Sequence, residues 1–351
     1  MAKIDMFFKY MIEKNASDLH LSVGSKPMIR KHGELEEINF QVLTNDLLKE
    51  LLFEILSEDQ KKKFIQEKDF DFAYEIPNSA RFRANYFLQK RGLGAAFRII
   101  PSSILSVEEL GLPKHILRLA GLNKGLVLVT GATGSGKSTT LAAIIDYINR
   151  NRKDHILTIE DPIEFVHQNK GCLINQREIS THTGSFAAAL RAALREDPDV
   201  ILVGEMRDLE TIELAITAAE TGHLVFGTLH TSSAAKTVDR IIDAFPAGQQ
   251  AQIRTMLSES LKGVIAQQLL KRADKPSRIA AIELLFVNVA ISNLIREGKT
   301  FQIASMMQMA KADGMQLLDQ AIMELMMQKI VSPEEAYAKA NDKKTFEKYL
   351  K

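Results

Sequence analysis

Tryptophan is absent from this 351-residue chain, and cysteine occurs once, at Cys172. One thiol can neither close a disulfide within the chain nor build a multi-cysteine metal site, and it fits a reducing compartment. An excess of either charge is also missing: 45 Lys and Arg stand against 44 Asp and Glu, a net charge of +1. That balance excludes the broad basic surface of a protein that coats nucleic acid, so any such contact would have to be local. No run approaches the roughly 20 apolar residues needed to span a bilayer. The start, "MAKIDMFFKYMIEKNASDLHL", lacks the basic segment, long apolar stretch and small-residue site of an export signal. These absences lead to the expectation of a soluble, unexported chain, with the cytoplasm as its default place.

What the chain does have is length enough for two domains, or for one with a sizeable appendage. Residues 1–98 mix amphipathic helix patterns, Met6 to Lys14 and Asn45 to Ile55, with the alternating stretches "DFDFAYEI" and "ARFRANYFLQ". Their period of two argues for half-buried strands, so this part is expected to be a small α+β domain. The prolines, serine pair and turn residues of "RIIPSSILSVEELGLPKHI" make residues 99–113 a linker. Beyond it, apolar runs at 126–129, 156–159, 200–203 and 224–229 are separated by segments long enough to hold helices. That spacing predicts βαβ units and a parallel sheet covered by helices, a core placed over 114–270. After about residue 250 the chain is expected to be helical throughout, including "AQIRTMLSESLKGVIAQQLL", with a helical C-terminal region over 271–351. The methionines at 306, 307, 309, 315, 323, 326 and 327 suit either helix-core filling or an adaptable partner surface.

Within the first of those apolar units, "TGATGSGKSTT" follows Leu126-Val127-Leu128-Val129 and leads into Leu141-Ala142-Ala143-Ile144-Ile145. Residues 131–138 fit G-x-x-x-x-G-K-[ST], with the strand before and the helix after that the motif requires. Gly131, Thr133, Gly134, Ser135, Gly136 and Thr139 would bring backbone N–H groups close to phosphate oxygens. Lys137 supplies a charge for the terminal phosphates, and the Ser138 hydroxyl can ligate magnesium.

Hydrolysis also needs carboxylates at the ends of neighbouring strands, to serve the metal and orient water. "ILTIEDPIEF" supplies Glu160, Asp161 and Glu164, and "DPDVILVGEMRD" supplies Glu205. Either group alone could be helix caps; together, beside a phosphate loop, they point to chemistry. In "TAAETGHLVFGTLHTSSA", His230 ends the fourth apolar run, where it could touch nucleotide. His223 precedes that run and is either a structural group bonded to a backbone carbonyl or a catalytic one. "RFRANYFLQKRGLGAAFRII" carries Arg81, Arg83, Lys90, Arg91 and Arg98 with no obvious acidic partners in the same segment. They are either solvated surface or, if two domains clamp a nucleotide, phosphate ligands suited by their bidentate fork.

With these segments in order, the sequence resembles the secretion ATPase superfamily and, within it, the type IV pilus retraction ATPases. "GATGSGKS", "TIEDPIEF", "VILVGEMRD" and "AAETGHLVFGTLHT" look like that family's Walker A loop, Asp box, Walker B segment and His box. The resemblance covers nearly the whole chain. It implies a PAS-like N-terminal domain joined to a RecA-like ATPase domain, assembled as a homo-hexamer with ATP bound between domains. By the same resemblance, Glu205 acts at the metal through water, Glu164 polarises the attacking water and His230 senses the γ-phosphate. Arg81, Arg83 and Arg98 match the family's inter-domain arginine contacts. Extension and type II secretion ATPases of the superfamily usually carry a four-cysteine zinc insertion and a longer N-terminal region; this chain has neither feature, which implies no zinc. "AISNLIREGKT" at 290–300 is similar to the retraction branch's AIRNLIRE motif, with Ser292 where arginine is usual.

The implied function is ATP hydrolysis, with Mg2+, that drives pilus depolymerisation through an inner-membrane platform protein at the cytoplasmic face. An accessory retraction ATPase or another secretion-system ATPase is the near alternative. A nucleic-acid motor is disfavoured by the balanced charge and the lack of aromatic stacking motifs, and a nucleotide-gated switch by the presence of both catalytic carboxylates.

Overall fold

The period-two stretches near the start of the chain are strands in the computed structural model, which describes residues 2–31, 33–77, 79–100 and 103–350. Among the described residues, six strands lie before residue 101: β1 (Asp18–Ser22), β2 (Met28–Lys31), β3 (Glu34–Glu37), β4 (Asp69–Ile76), β5 (Ala80–Gln89) and β6 (Gly92–Ile100). They form one sheet in the order β3-β2-β1-β6-β5-β4, antiparallel at every step. Helix Asp5–Glu13 buries Phe7, Phe8 and Met11, and Phe8 stacks on Phe82 of β5 with ring centroids 4.3 Å apart. Helix Asn45–Phe53 begins at Thr44, whose hydroxyl accepts from Leu47 N, and it buries Leu48, Leu51 and Leu52. The α+β reading of this part therefore rests on a core of its own. Strand β6 runs two residues into the expected linker, and Pro101 and Ser102 of that linker lie outside the described residues.

The chain divides into two units, Met1–Ser103 and Ile104–Lys351. The second contains β7 (Gly125–Thr130), β8 (His155–Glu160), β9 (Leu173–Glu178), β10 (Val200–Val203), β11 (Leu224–Leu229), β12 (Leu261–Lys271) and β13 (Arg278–Phe286). Their order is β13-β12-β7-β11-β10-β8-β9, and every pairing is parallel except β12 with β13. All residues of β7, β10 and β11 are buried, as expected of central strands covered on both faces. Side chains alternate between the two layers: Leu126 and Leu128 pack with Ile212, Ile216 and Val238, whereas Val127 and Val129 pack with Ile144, Ile145 and Ile148.

The expectation of helix throughout after residue 250 is corrected here. Helix Gln250–Ser260 stops where Leu261 turns extended, and residues 261–271 pair with β7 as a buried strand. Gly263 explains part of this: a side chain there would strike Leu119 and the Leu285 carbonyl, so the backbone packs too closely for another residue. β13 then adds a second strand inside the stretch expected to be helical. Helices resume from Val289, and Leu318–Met327 and Pro333–Lys339 pack over Leu270 and Ile279. Of the methionines, Met307, Met315 and Met326 fill the core, as the core reading expects, while Met309 and Met327 are 71% and 55% exposed. No helix among the described residues is long and apolar enough to cross a membrane.

Candidate nucleotide-binding site

Strands β7, β8, β10 and β11 are mutually parallel neighbours, so their carboxyl ends meet at one edge of the sheet. The phosphate loop follows Thr130, Asp161 and Glu164 of the Asp box follow Glu160 at the end of β8, Glu205 follows Val203 by two residues, and His230 follows Leu229. This is the edge at which open α/β sheets bind ligands.

The loop's backbone depends on its glycines. Gly131, Gly134 and Gly136 have φ of 146°, 74° and 91°, a region that side-chain-bearing residues avoid. A Cβ on Gly131 would also run into the Gln267 carbonyl and the Ser135 hydroxyl. Helix Lys137–Asn151 starts directly after Gly136 with no side-chain cap, which leaves its first amides for an acceptor from outside. Lys137 Nζ folds back over the loop, donating to Gly131 O at 3.0 Å and Ala132 O at 3.2 Å. Burial lowers the Lys137 pKa, opposed by the charges of Glu205 and Glu164. The buried Ser135 hydroxyl has no partner among the described residues. An uncapped helix start, a half-buried cation and an orphaned hydroxyl form a receptor for a polyphosphate anion. Ser138, half-buried in the first helical turn, and Glu205 offer the hard oxygen ligands that Mg2+ takes. Thr133 and Thr139 complete the predicted set in the same loop and first turn, Thr133 exposed and Thr139 half-buried.

Glu205 is held by its neighbours on both sides. Gly204 N donates to Ile159 O at 2.8 Å, Met206 N donates to Thr228 O at 3.0 Å, and Thr228 Oγ1 donates to Gly204 O at 2.5 Å. His230 Nε2 lies 3.0 Å from Glu205 Oε1, and Arg207 Nε lies 2.6 Å from the same oxygen. Burial pushes the Glu205 carboxyl up, but the Arg207 hydrogen bond and charge, with His230, outweigh it and hold the pKa below the usual value.

The two Glu residues of the Asp box differ in setting. Glu160 is half-buried and held in place, accepting from Thr158 Oγ1 at 2.6 Å and Gln176 Nε2 at 3.1 Å, and desolvation raises its pKa. Glu164 is half-buried. Its turn is braced from β9, where Glu178 Oε2 accepts from Ile163 N at 3.1 Å and Gln176 accepts from His167 N at 2.8 Å. His223 resolves toward its structural reading: Nδ1 lies 2.9 Å from Ala218 O.

The arginines of the first unit have acidic partners that the sequence segment did not show, because they come from adjacent strands. Arg81 lies 3.6 Å from Glu75, Arg83 lies 3.7 Å from Asp71, and Arg98 Nε lies 2.7 Å from Asp18. Sequence reading missed three further residues near the loop: Gln267, Thr237 and Glu283. Gln267 Nε2 donates to Ser135 O at 2.6 Å from the neighbouring β12, and Thr237 Oγ1 lies 3.5 Å from Thr130 Oγ1. The available signal was a polar residue inside an apolar run, as in "VIAQQLL" and "AAIELLF".

The protein family described as Type II/IV secretion system protein matches residues 2–349. This chain belongs to that family. A Pseudomonas aeruginosa protein, described as the type IV pilus retractation ATPase PilT, is 53% identical over 337 residues, which are 96% of this chain and 98% of that protein. A Neisseria gonorrhoeae twitching motility protein is 56% identical over 316 residues, 90% of this chain and 84% of its own length. Among solved structures, the crystal structure of the pilus retraction motor PilT with bound ADP superposes with a TM-score of 0.91 at 47% identity, covering 98% of both chains. Within the Type II/IV secretion family the chain is thus a member of the pilus retraction ATPase branch.

Proposed function

We propose that this chain hydrolyses ATP to power the retraction of a type IV pilus. The observation that carries the reading is the convergence of the phosphate loop, Glu164 and the Glu205–His230 pair at the carboxyl ends of adjacent parallel strands. Lys137 and the loop amides would bind the phosphates, with Gly131, Gly134 and Gly136 letting the backbone approach. Ser138 and Glu205 would hold the magnesium ion, which supplies charge neutralisation at the β- and γ-phosphates. Glu164 would orient the attacking water, and His230, bonded to Glu205, would register whether a γ-phosphate is present. No covalent intermediate is needed, since phosphoryl transfer to water is catalysed mainly by positioning and charge.

The coupling to work follows from the family resemblance. The motor would be a homo-hexamer at the cytoplasmic face of the inner membrane, pulling through the platform protein of the pilus machine. Arg81, Arg83 and Arg98 would then reach nucleotide held by a facing domain. A net charge of +1 speaks against the rival nucleic-acid motor.

Two measurements test this. Purified chain with ATP and Mg2+ should release phosphate steadily, and cells lacking the gene should carry excess surface pili and fail to twitch. Absence of turnover would defeat the enzymatic part, and bald or normally motile mutants would defeat the retraction part. Normal motility with turnover intact would favour an accessory motor.

A further inference from the structure

The carboxylate of Glu283 lies inside the protein, 5% exposed, on a strand that is otherwise apolar through its middle. Both of its oxygens are committed to backbone amides of separate helices. Oε1 accepts from Ala234 N at 2.7 Å, and Oε2 accepts from Leu318 N at 3.3 Å. Ala234 opens helix Ala234–Asp243, which begins four residues after His230; Leu318 opens helix Leu318–Met327 in the C-terminal region. Glu283 is also in register with the phosphate loop, since Glu283 pairs with Ala266, and Ala266 pairs with Thr130, the last residue of β7.

The same helix start has a second fixing point. Thr237 Oγ1 lies 2.7 Å from Thr231 Oγ1, 2.8 Å from Ser233 O and 3.5 Å from Thr130 Oγ1, all around the turn that carries His230. Residue 316 ties the other helix to β13: Gln316 and Leu284 exchange backbone hydrogen bonds of 2.8 and 3.0 Å, and Gln316 Nε2 donates to Ile282 O at 3.1 Å. A helix start offers unpaired N–H groups and a positive dipole end, so one buried anion between two such starts binds both. An anion this enclosed is costly without its partners, which makes the arrangement all-or-none rather than elastic.

We infer that Glu283 is a positioning residue for ATP hydrolysis, a buried tether through which the His230 turn and the C-terminal helix Leu318–Met327 shift together. The inference rests on the nucleotide reading of the phosphate loop. Displacement of the His230 turn by nucleotide must then be felt at Leu318, and a disturbance at the C-terminal helices must be felt at His230.

Steady-state kinetics and backbone amide exchange on the full chain, with ATP and a non-hydrolysable ATP analogue, provide the test. In the parent, the analogue should alter exchange at residues 131–139, 233–237 and 317–321 together. Glu283→Gln keeps the shape but turns an NH2 toward one of the two amides, so it should lower kcat about tenfold by misplacing the His230 turn. Its KM should stay within about twofold of the parent, because the loss is not one of ground-state binding. Its exchange response should persist at 131–139 and disappear at 317–321, and Glu283→Asp, which restores the carboxylate, should recover part of the rate. Unchanged kcat, or an unaltered response at 317–321 in a folded Glu283→Gln chain, would overturn the tether. If Glu283→Gln does not fold, the parent decides alone: no analogue response at 317–321 also overturns it. A parent that binds no ATP analogue and releases no phosphate defeats the functional reading instead.

Discussion

His230 Nε2 and Arg207 Nε converge on a single oxygen of Glu205, at 3.0 and 2.6 Å. That oxygen joins the ends of β10 and β11, so the group expected to serve the metal and the group expected to register the γ-phosphate are one hydrogen-bonded unit. A change at either is passed to the other without any intervening element.

Glu205→Gln is therefore expected to stop hydrolysis while ATP still binds, because size is kept and charge is lost. Nucleotide retained on filters with no phosphate released is the expected result; turnover above about a tenth of the parent rate would remove Glu205 from its role at the metal. The same substitution has a pH signature. The folded-state pKa of Glu205 is depressed, so its contribution to stability is present above the ordinary carboxylate range and is lost as pH falls through the folded value. Any melting-temperature deficit of Glu205→Gln caused by that lost charge should thus narrow as the solution is acidified from neutral.

Lys137→Ala should abolish turnover and leave a folded chain. Burial lowers the Lys137 pKa, which means that the charged amine is disfavoured in the fold. Worked through, stability is reduced while the amine is protonated in both states and recovers only as pH rises above the folded pKa. Removing the amine near neutral pH should therefore leave the melting temperature of the nucleotide-free chain unchanged or slightly raised. The stabilisation by ATP, about 2.7 kcal/mol for the parent at a hundredfold excess over Kd, should be lost. A marked drop in melting temperature without nucleotide would show that Lys137 has a structural role instead.

Of the two Glu residues of the Asp box, Glu160 is held by hydrogen bonds from Thr158 and Gln176, and this divides two substitutions. Glu164→Gln should bind ATP without hydrolysing it; rapid turnover would move the water-orienting role to Glu160 or Asp161. Glu160 has a raised pKa from burial, so the folded protein loses stability as pH rises from the ordinary carboxylate value through the folded one. Glu160→Gln should flatten that limb of the stability profile, visible as a melting temperature that changes less with pH than the parent's.

Why some of this was legible in the sequence and some was not has a physical basis. Four apolar runs became β7, β8, β10 and β11 because strands buried on both faces need continuous apolar sequence, and the phosphate loop was marked by glycines that its φ angles require. "LKGVIAQQLL" failed as a strand signal because its apolar residues also fit one face of a helix continuing from Gln250, and only pairing with β7 decides between them. Strand β9, "LINQRE", is an edge strand with four polar residues in a row, yet Gln176 and Glu178 brace the Asp box from it. Glu283 lay in plain view as an acid among apolar residues, but its two amide partners are 49 and 35 residues away along the chain. Contacts of that span are set by topology, which local pattern does not encode.

The arginines test whether two domains share one nucleotide, and the ion pairs of the first unit determine which substitution is informative. Arg98→Ala would strip Asp18, whose side chain is only 8% exposed, of its 2.7 Å partner, so lost activity there could come from a damaged domain. Arg81 is itself mostly buried beside Glu75, with the same ambiguity. Arg83 and Asp71 are 45% and 47% exposed and 3.7 Å apart, a pair whose loss costs at most about 1 kcal/mol. Arg83→Ala is then the clean probe, since folding and assembly should survive it. An arginine that stabilises transition-state charge is worth on the order of a thousandfold in rate. If Arg83 reaches phosphate from a facing domain, Arg83→Ala rings of parent size by light scattering should lose at least about a hundredfold in kcat. Arg83→Lys, which keeps the charge but not the fork, should recover only part of it. Parent-like rates in intact Arg83→Ala rings would return Arg83 to solvated surface. The same rates in Arg81→Ala and Arg98→Ala rings would defeat the inter-domain clamp altogether.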